Sequence, residues 1–185
     1  MIIAKEDSLS VDLVAENLKL GEIVIIPTDT VYGFSGIVDS SSFTDEKIRK
    51  IKGRDENKPL IQLIAFPEDI YKYTNDKIPE KVFSSWPGAL TVIVNDVRGG
   101  TTAFRCPGDE WLRKIIEKVD FPLFSTSVNK SGLPVLEKID EIIETFQDDV
   151  SLIVSDGDKP NALPSTLVKI DGENISVLRQ GSVKI

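Results

Sequence analysis

The sequence predicts an α/β fold built on a mixed sheet, and three observations carry that expectation. Short apolar or β-branched runs, among them Glu22–Ile26, Leu60–Ile64 and Thr91–Val94, recur with amphipathic helical segments loosely between them. The late strand candidates are closely spaced and glycine turns such as Gly99-Gly100 separate elements, which suits a mixed sheet better than uniform βαβ crossovers. A chain of 185 residues with 41% apolar content, no internal repeat and no long linker fits one domain over residues 1–185, large enough to bury a core without metals or disulfides.

Met1–Lys5 is a short strand candidate. Ser10–Gly21 reads as a helix with a serine cap, apolar positions at helical spacing and a terminating glycine. It feeds Glu22–Ile26, whose consecutive apolar residues predict a strand buried on both faces, stopped by Pro27. The loop that follows, Thr28–Gly33, packs hydroxyls, Asp29 and a glycine into six positions. Such a strand-to-polar-loop transition is where α/β proteins place their sites, although an Asx-type turn with Tyr32 as a core aromatic accounts for the same residues. Thr44–Lys52 reads as a helix ended by Gly53, with Ile48 and Ile51 facing inward and a basic last turn. Lys50 and Lys52 could serve only the helix dipole. Arg54 and Lys58, around the glycine turn and at the mouth of the Leu60–Ile64 strand, are harder to read as a solvated face.

Pro67–Tyr73 and Pro79–Ser85 read as short helices with proline in the first turn. Trp86-Pro87-Gly88 is a tight turn into Thr91–Val94, with Trp86 a packing residue. Thr102–Pro107 is a short strand with Arg105 near its end, where a guanidinium is costly unless it meets an anionic ligand or an internal carboxylate. Asp109–Val119 is an amphipathic helix. Phe121–Ser125 is a strand running into a second hydroxyl loop, Thr126–Gly132. Ile139–Phe146 is a helix, Leu152–Gly157 a strand and turn, Ala162–Val168 a third passage mixing hydroxyls with a strand, and Ser176–Gly181 a strand ending in Arg179.

The composition contains no histidine, which removes Ser-His-Asp and Cys-His nucleophile systems, imidazole bases and ordinary catalytic zinc sites. The lone Cys106 can build neither a disulfide nor a metal site. Catalysis would have to rest on Lys, Arg, carboxylates, hydroxyls and backbone amides, which suits phosphoryl or nucleotidyl transfer. The net charge of −8 argues against a generic nucleic-acid binder, yet Lys47–Lys58 holds six basic residues against two acidic ones, the mark of an anion site. No apolar run approaches a membrane span or signal-peptide core, so a reducing cytoplasm is expected. Neither a Walker-type loop nor Gly-x-Gly-x-x-Gly occurs.

Seven motifs in order then coincide with one pattern: Pro27-Thr28-Asp29-Thr30-Val31-Tyr32-Gly33; Lys52-Gly53-Arg54 with Lys58-Pro59-Leu60; Trp86-Pro87-Gly88; Arg105-Cys106-Pro107; Ser127-Val128-Asn129-Lys130-Ser131-Gly132; Pro164-Ser165-Thr166; and Arg179-Gln180-Gly181. On these the chain resembles the YrdC-type threonylcarbamoyl-adenylate synthases, in their short bacterial form, over nearly its whole length. The resemblance implies a twisted open mixed sheet flanked by helices around a deep basic cavity. There L-threonine, bicarbonate and ATP become threonylcarbamoyl-AMP and pyrophosphate, and partner proteins move the threonylcarbamoyl group to the adenosine next to the tRNA anticodon. By motif, Lys52, Arg54, Ser127 and Asn129 are the catalytic set. Lys58, Ser165 and Arg179 would contact ATP; Thr30, Tyr32 and Arg105 would hold threonine, with the guanidinium on its carboxylate. Mg²⁺ would accompany the phosphates, with Asp29 a candidate ligand beside its other reading as a cap for turn amides. Direct tRNA contact is left open, and no membrane association is implied.

Three positions depart from the family pattern. Val128 replaces a usual alanine, which would narrow the nucleotide pocket, Phe34 replaces a common leucine, and Lys169 follows a strand that often ends in acid. The alternative function is an RNA-binding or ribosome-associated module of the same fold. It would need the cations but has no use for the Ser127-x-Asn129 pair.

Overall fold

The computed structural model describes residues 1–53, 59–172 and 174–185. In chain order its strands are Ile2–Ala4 (β1), Val24–Ile26 (β2), Gly33–Ile37 (β3), Ile61–Leu63 (β4), Leu90–Asn95 (β5), Thr101–Arg105 (β6), Leu123–Ser127 (β7), Leu152–Ser155 (β8), Thr166–Asp171 (β9) and Asn174–Arg179 (β10). Its α-helices are Ser10–Lys19 (α1), Thr44–Lys52 (α2), Glu80–Phe83 (α3), Glu110–Val119 (α4) and Ile139–Phe146 (α5), with a 3₁₀ helix at Pro67–Lys72. Among the described residues the strands join in one sheet, ordered β1-β8-β2-β3-β7-β4-β6-β5-β9-β10. The sheet is mixed, as expected. β1, β8 and β2 run parallel, β3 is antiparallel to both β2 and β7, and the parallel pairs β4–β6 and β5–β9 flank an antiparallel β5–β6 hairpin.

The alternation of side chains along a strand explains why β2 is buried on both faces. Val24 and Ile26 face a layer formed by α1 and α4, through Val14, Leu18, Leu112, Ile115 and Val119. Ile23 and Ile25 point the other way, into a core closed by Ile48 of α2 and by Ile142 and Phe146 of α5. A third core, under the 3₁₀ helix and α3, covers β5, β6 and β9 with Ile70, Val82, Trp86, Val92, Phe104 and Val168. Trp86 has the packing role expected of it, 6% exposed, with its indole N–H donating to Leu90 O at 2.7 Å.

Two local readings need correction. Ser10 does not cap α1: its hydroxyl donates to Lys5 O at 2.8 Å and accepts from the Trp111 indole at 2.9 Å, while Asp7 takes the Leu9 amide. A tertiary contact between α1 and α4 thus claims the side chain that local propensity assigned to the helix end.

The second is an omission: no strand is expected between the Thr28–Gly33 loop and Thr44, yet β3 lies there. Its sequence, Gly-Phe-Ser-Gly-Ile, has too few apolar residues to announce a strand, yet all five are buried. Small residues are needed because α2 starts against it. A Cβ on Gly36 would lie 2.7 Å from Thr44 Cβ and 2.9 Å from Ile23 Cδ1, and Thr44 Oγ1 donates to Ile37 O at 2.5 Å.

Candidate active site

The C-terminal end of β2, the ends of β6 and β7, and the segments entering β9 and leaving β10 converge on a pocket of about 220 Å³. Thr28, Thr30, Tyr32, Arg105, Ser125, Ser127, Ser165 and Arg179 are among its lining residues. Six of the ten predicted site residues therefore share one cavity. Arg54 and Lys58 lie outside the described residues.

Thr28–Tyr32 forms the turn expected from local chemistry. Thr28 Oγ1 accepts from the Thr30 amide at 3.0 Å and donates to Val31 O at 2.8 Å. With its proton committed, Thr28 accepts from Thr30 Oγ1 at 2.9 Å, and Thr30 Oγ1 in turn accepts from Arg105 Nη1 at 2.9 Å. A fixed donor at one end and a fixed carbonyl at the other orient every hydroxyl in this chain. Thr30 is left able to accept one more hydrogen bond, such as that of an ammonium or amine.

Arg105 is 5% exposed, and its internal-carboxylate reading is the one observed. Its Nη2 donates to Asp29 Oδ1 at 2.5 Å and its Nε to Gly88 O at 3.1 Å, so an internal carboxylate does partner the charge. Together with Thr30 these bonds engage three of five N–H groups, and two remain to meet a ligand carboxylate. Asp29 Oδ2 accepts from the Gly108 amide at 2.9 Å. Both Asp29 oxygens thereby hold protein donors, and the Thr30 amide in its own turn is served by Thr28 instead. Among the described residues no group of three or more His, Cys, Asp or Glu could hold a metal ion.

Lys52, at the last position of α2, is 3% exposed rather than lying open in the cavity. Its ammonium donates to Ser127 O at 2.5 Å, Asn129 O at 2.9 Å and Asn129 Oδ1 at 2.9 Å. Asn129 Oδ1 also accepts from Ser127 Oγ at 2.8 Å, so three residues of the predicted catalytic set form one network. Lys52 and Asn129 stand behind the pocket wall and Ser127 in it. Gly53 closes α2 with φ +60°, as its sequence position predicts. Val128 points away from the pocket into the α2–α5 core at 0% exposure, so it does not narrow a nucleotide site.

Ser165 and Arg179 are joined on the opposite wall. Arg179 donates to Ser165 O through Nε at 3.1 Å and Nη2 at 2.9 Å, and Ser165 Oγ shares a 2.7 Å hydrogen bond with Thr91. Partial desolvation, and then the charge of Arg105, hold the Arg179 guanidinium below its usual pKa. Two guanidiniums that repel each other across one cavity favour an anionic occupant. A Cβ on Gly181 would meet Pro164 O at 2.3 Å and Thr166 N at 2.6 Å, so glycine at that motif position lets β10's exit pass the β9 entry. Thr91 was missed by sequence reasoning; the signal available was a hydroxyl within an otherwise apolar strand.

The Tyr32 hydroxyl is spent on the protein, donating to Gly157 O at 2.7 Å and accepting from the Asp156 amide at 2.7 Å. Burial pushes the phenol up to about 12. A raised folded-state pKa favours the protonated form. Its contribution to stability is complete below the unfolded value of about 10 and is lost as pH rises toward 12. Tyr32→Phe orphans both backbone groups and is expected to cost about 1–3 kcal/mol, read as a lower melting temperature, and to flatten that alkaline dependence.

A family model, Sua5/YciO/YrdC, described as telomere recombination, matches residues 16–181. The threonylcarbamoyl-AMP synthase of Pseudoalteromonas translucida is 29% identical over 164 residues, covering 81% of this chain and 87% of that protein. The synthase of Photobacterium profundum is 28% identical over 182 residues, 91% of this chain and 97% of that protein. Among solved structures, P. abyssi Sua5 complexed with L-threonine superposes with a TM-score of 0.86 at 27% identity, covering 98% of this chain and 57% of that longer one.

Proposed function

Because the chain belongs to the Sua5/YciO/YrdC family, we propose that it is an L-threonylcarbamoyladenylate synthase, making threonylcarbamoyl-AMP and pyrophosphate from L-threonine, bicarbonate and ATP. The observation that carries this reading is the pocket, in a chain without histidine, that Thr30 and Arg105 line together with Ser127, Ser165 and Arg179. Threonine would place its carboxylate on the remaining N–H groups of Arg105 and its amine toward Thr30. The amine combines with bicarbonate, releasing water, and the carbamate oxygen then attacks the α-phosphorus of ATP as the bond to pyrophosphate breaks. Each partner in that step is anionic, so alignment and charge compensation are the catalytic requirements, and Arg105 and Arg179 supply the charge at the pocket. Lys52, Ser127 and Asn129, joined in one hydrogen-bonded network, are catalytic residues, and by motif Arg54 joins them in that role; Ser165, Arg179 and, by motif, Lys58 hold the nucleotide; Tyr32 holds the Asp156–Gly157 turn beside the threonine site. Mg²⁺ would arrive on the triphosphate as part of the substrate. Among the described residues no helix is long and apolar enough to cross a membrane, which is compatible with a cytoplasmic enzyme supplying threonylcarbamoyl-AMP to tRNA-modifying partners.

The test is pyrophosphate release from ATP with threonine and bicarbonate each added or omitted. Release requiring both, with threonylcarbamoyl-AMP in the mass spectrum, is the expected result. No release under any condition, with RNA binding retained, would instead favour the RNA-binding module.

A further inference from the structure

Behind the pocket, α2 and the loop after β7 hold each other through two lysines. Lys52 from α2 donates to the loop at Ser127 O, Asn129 O and Asn129 Oδ1. Lys130 from the loop donates back to Ile51 O at 2.7 Å, and the Ser131 amide donates to Lys52 O at 2.8 Å. Between the two ammonium groups sits an aromatic pair. Phe34 and Phe146 meet edge to face, centroids 4.9 Å apart at 86°. Lys52 Nζ stands 5.3 Å over the Phe34 ring and Lys130 Nζ 5.1 Å over the Phe146 ring. Both rings are 0% exposed, so the attraction between each cation and its ring is little screened on the protein side.

A lysine ammonium has three N–H donors, and these three acceptors match them in number. Its position relative to Ser127 and Asn129 depends on what stops the flexible stem from shifting. The Phe34 ring occupies that place, where an aliphatic side chain would offer packing without an attractive face. We infer that Phe34, Phe146 and Lys130 are positioning residues for the synthase reaction, bracing the Lys52 ammonium and through it Asn129 and the Ser127 group at the pocket wall. This inference rests on the synthase reading for its effect on turnover, and on the geometry alone for the brace itself.

The test replaces Phe34 with mono-, di- and trifluorinated phenylalanine, which weakens the negative ring face while nearly keeping its shape. Turnover in pyrophosphate release should fall stepwise, to about one-tenth with three fluorines, while the KM for ATP and for threonine changes less than about twofold. Lys130, whose side chain is 46% exposed, allows a variant that keeps the core intact: Lys130→Met should lower turnover about fivefold and Lys130→Arg should restore most of it. Independently of activity, Phe34→Leu and Lys52→Met should combine non-additively in melting temperature. Turnover indifferent to fluorination, or strict additivity of the two melting shifts, would overturn the brace. If the unmodified protein releases no pyrophosphate, the synthase reading fails, and the melting cycle still decides whether Phe34 holds Lys52.

Discussion

Lys52→Ala is expected to abolish threonine-dependent pyrophosphate release and to lower the melting temperature at the same time. A cation lying open in a cavity would contribute little to stability, and its removal would be felt in activity alone. Lys52 is instead 3% exposed and donates to three oxygens within 2.9 Å. Its loss strips partners from two backbone carbonyls and one amide oxygen, against which the relief of ammonium desolvation is only partial compensation. A net cost of about 2–4 kcal/mol follows. For a chain of this size that corresponds to roughly 5–15 °C in melting temperature. Lys52→Met separates the contributions, because it keeps the stem against Phe34 and removes only the charge. Thermal denaturation and single-turnover assays of both variants would check this. An Ala variant with parental stability would show that the network does not hold the loop, and one with parental turnover would remove Lys52 from the chemistry.

The second large effect concerns Arg105 and Asp29. Arg105→Ala is expected to weaken threonine use by about 30-fold or more, equivalent to about 2 kcal/mol, if the guanidinium holds the threonine carboxylate. It should also destabilise the fold, since Asp29 keeps only the Gly108 amide. Asp29→Ala should be comparably destabilising, on the order of 3–5 kcal/mol, because it leaves a 5% exposed guanidinium without its counter-charge. Asp29→Asn should fall between, retaining an acceptor but not the charge. The double Ala variant should cost much less than the sum of the single variants, since each already breaks the same pair. Unchanged apparent affinity for threonine in Arg105→Ala would end the carboxylate-clamp role. Additive melting shifts would show that the pair is not an energetic unit.

The legible part of this protein was whatever short-range chemistry specifies. β2 could be read because its apolar residues have no polar face to turn toward water, and the bounds of α2 and α5 agree with their periodicity and, for α2, with Gly53. The motif residues Thr30, Tyr32, Arg105, Ser127, Ser165 and Arg179 are site candidates by sequence pattern alone, and they line one pocket. What could not be read were the pairings. β3 is defined by the two strands beside it and by the close approach of α2, and no property of Gly-Phe-Ser-Gly-Ile itself announces a strand.

The sequence by itself determined the class of fold, the kinds of side chain available for chemistry and, through the absence of histidine, the kinds of catalysis closed to it. Only the tertiary structure decided who partners whom. Asp29 and Arg105 are 76 positions apart, and Lys52 and Asn129 are 77 apart. Hydrogen bonds and ion pairs act over a few ångströms of space, so partners this distant along the chain are chosen by strand order and helix packing.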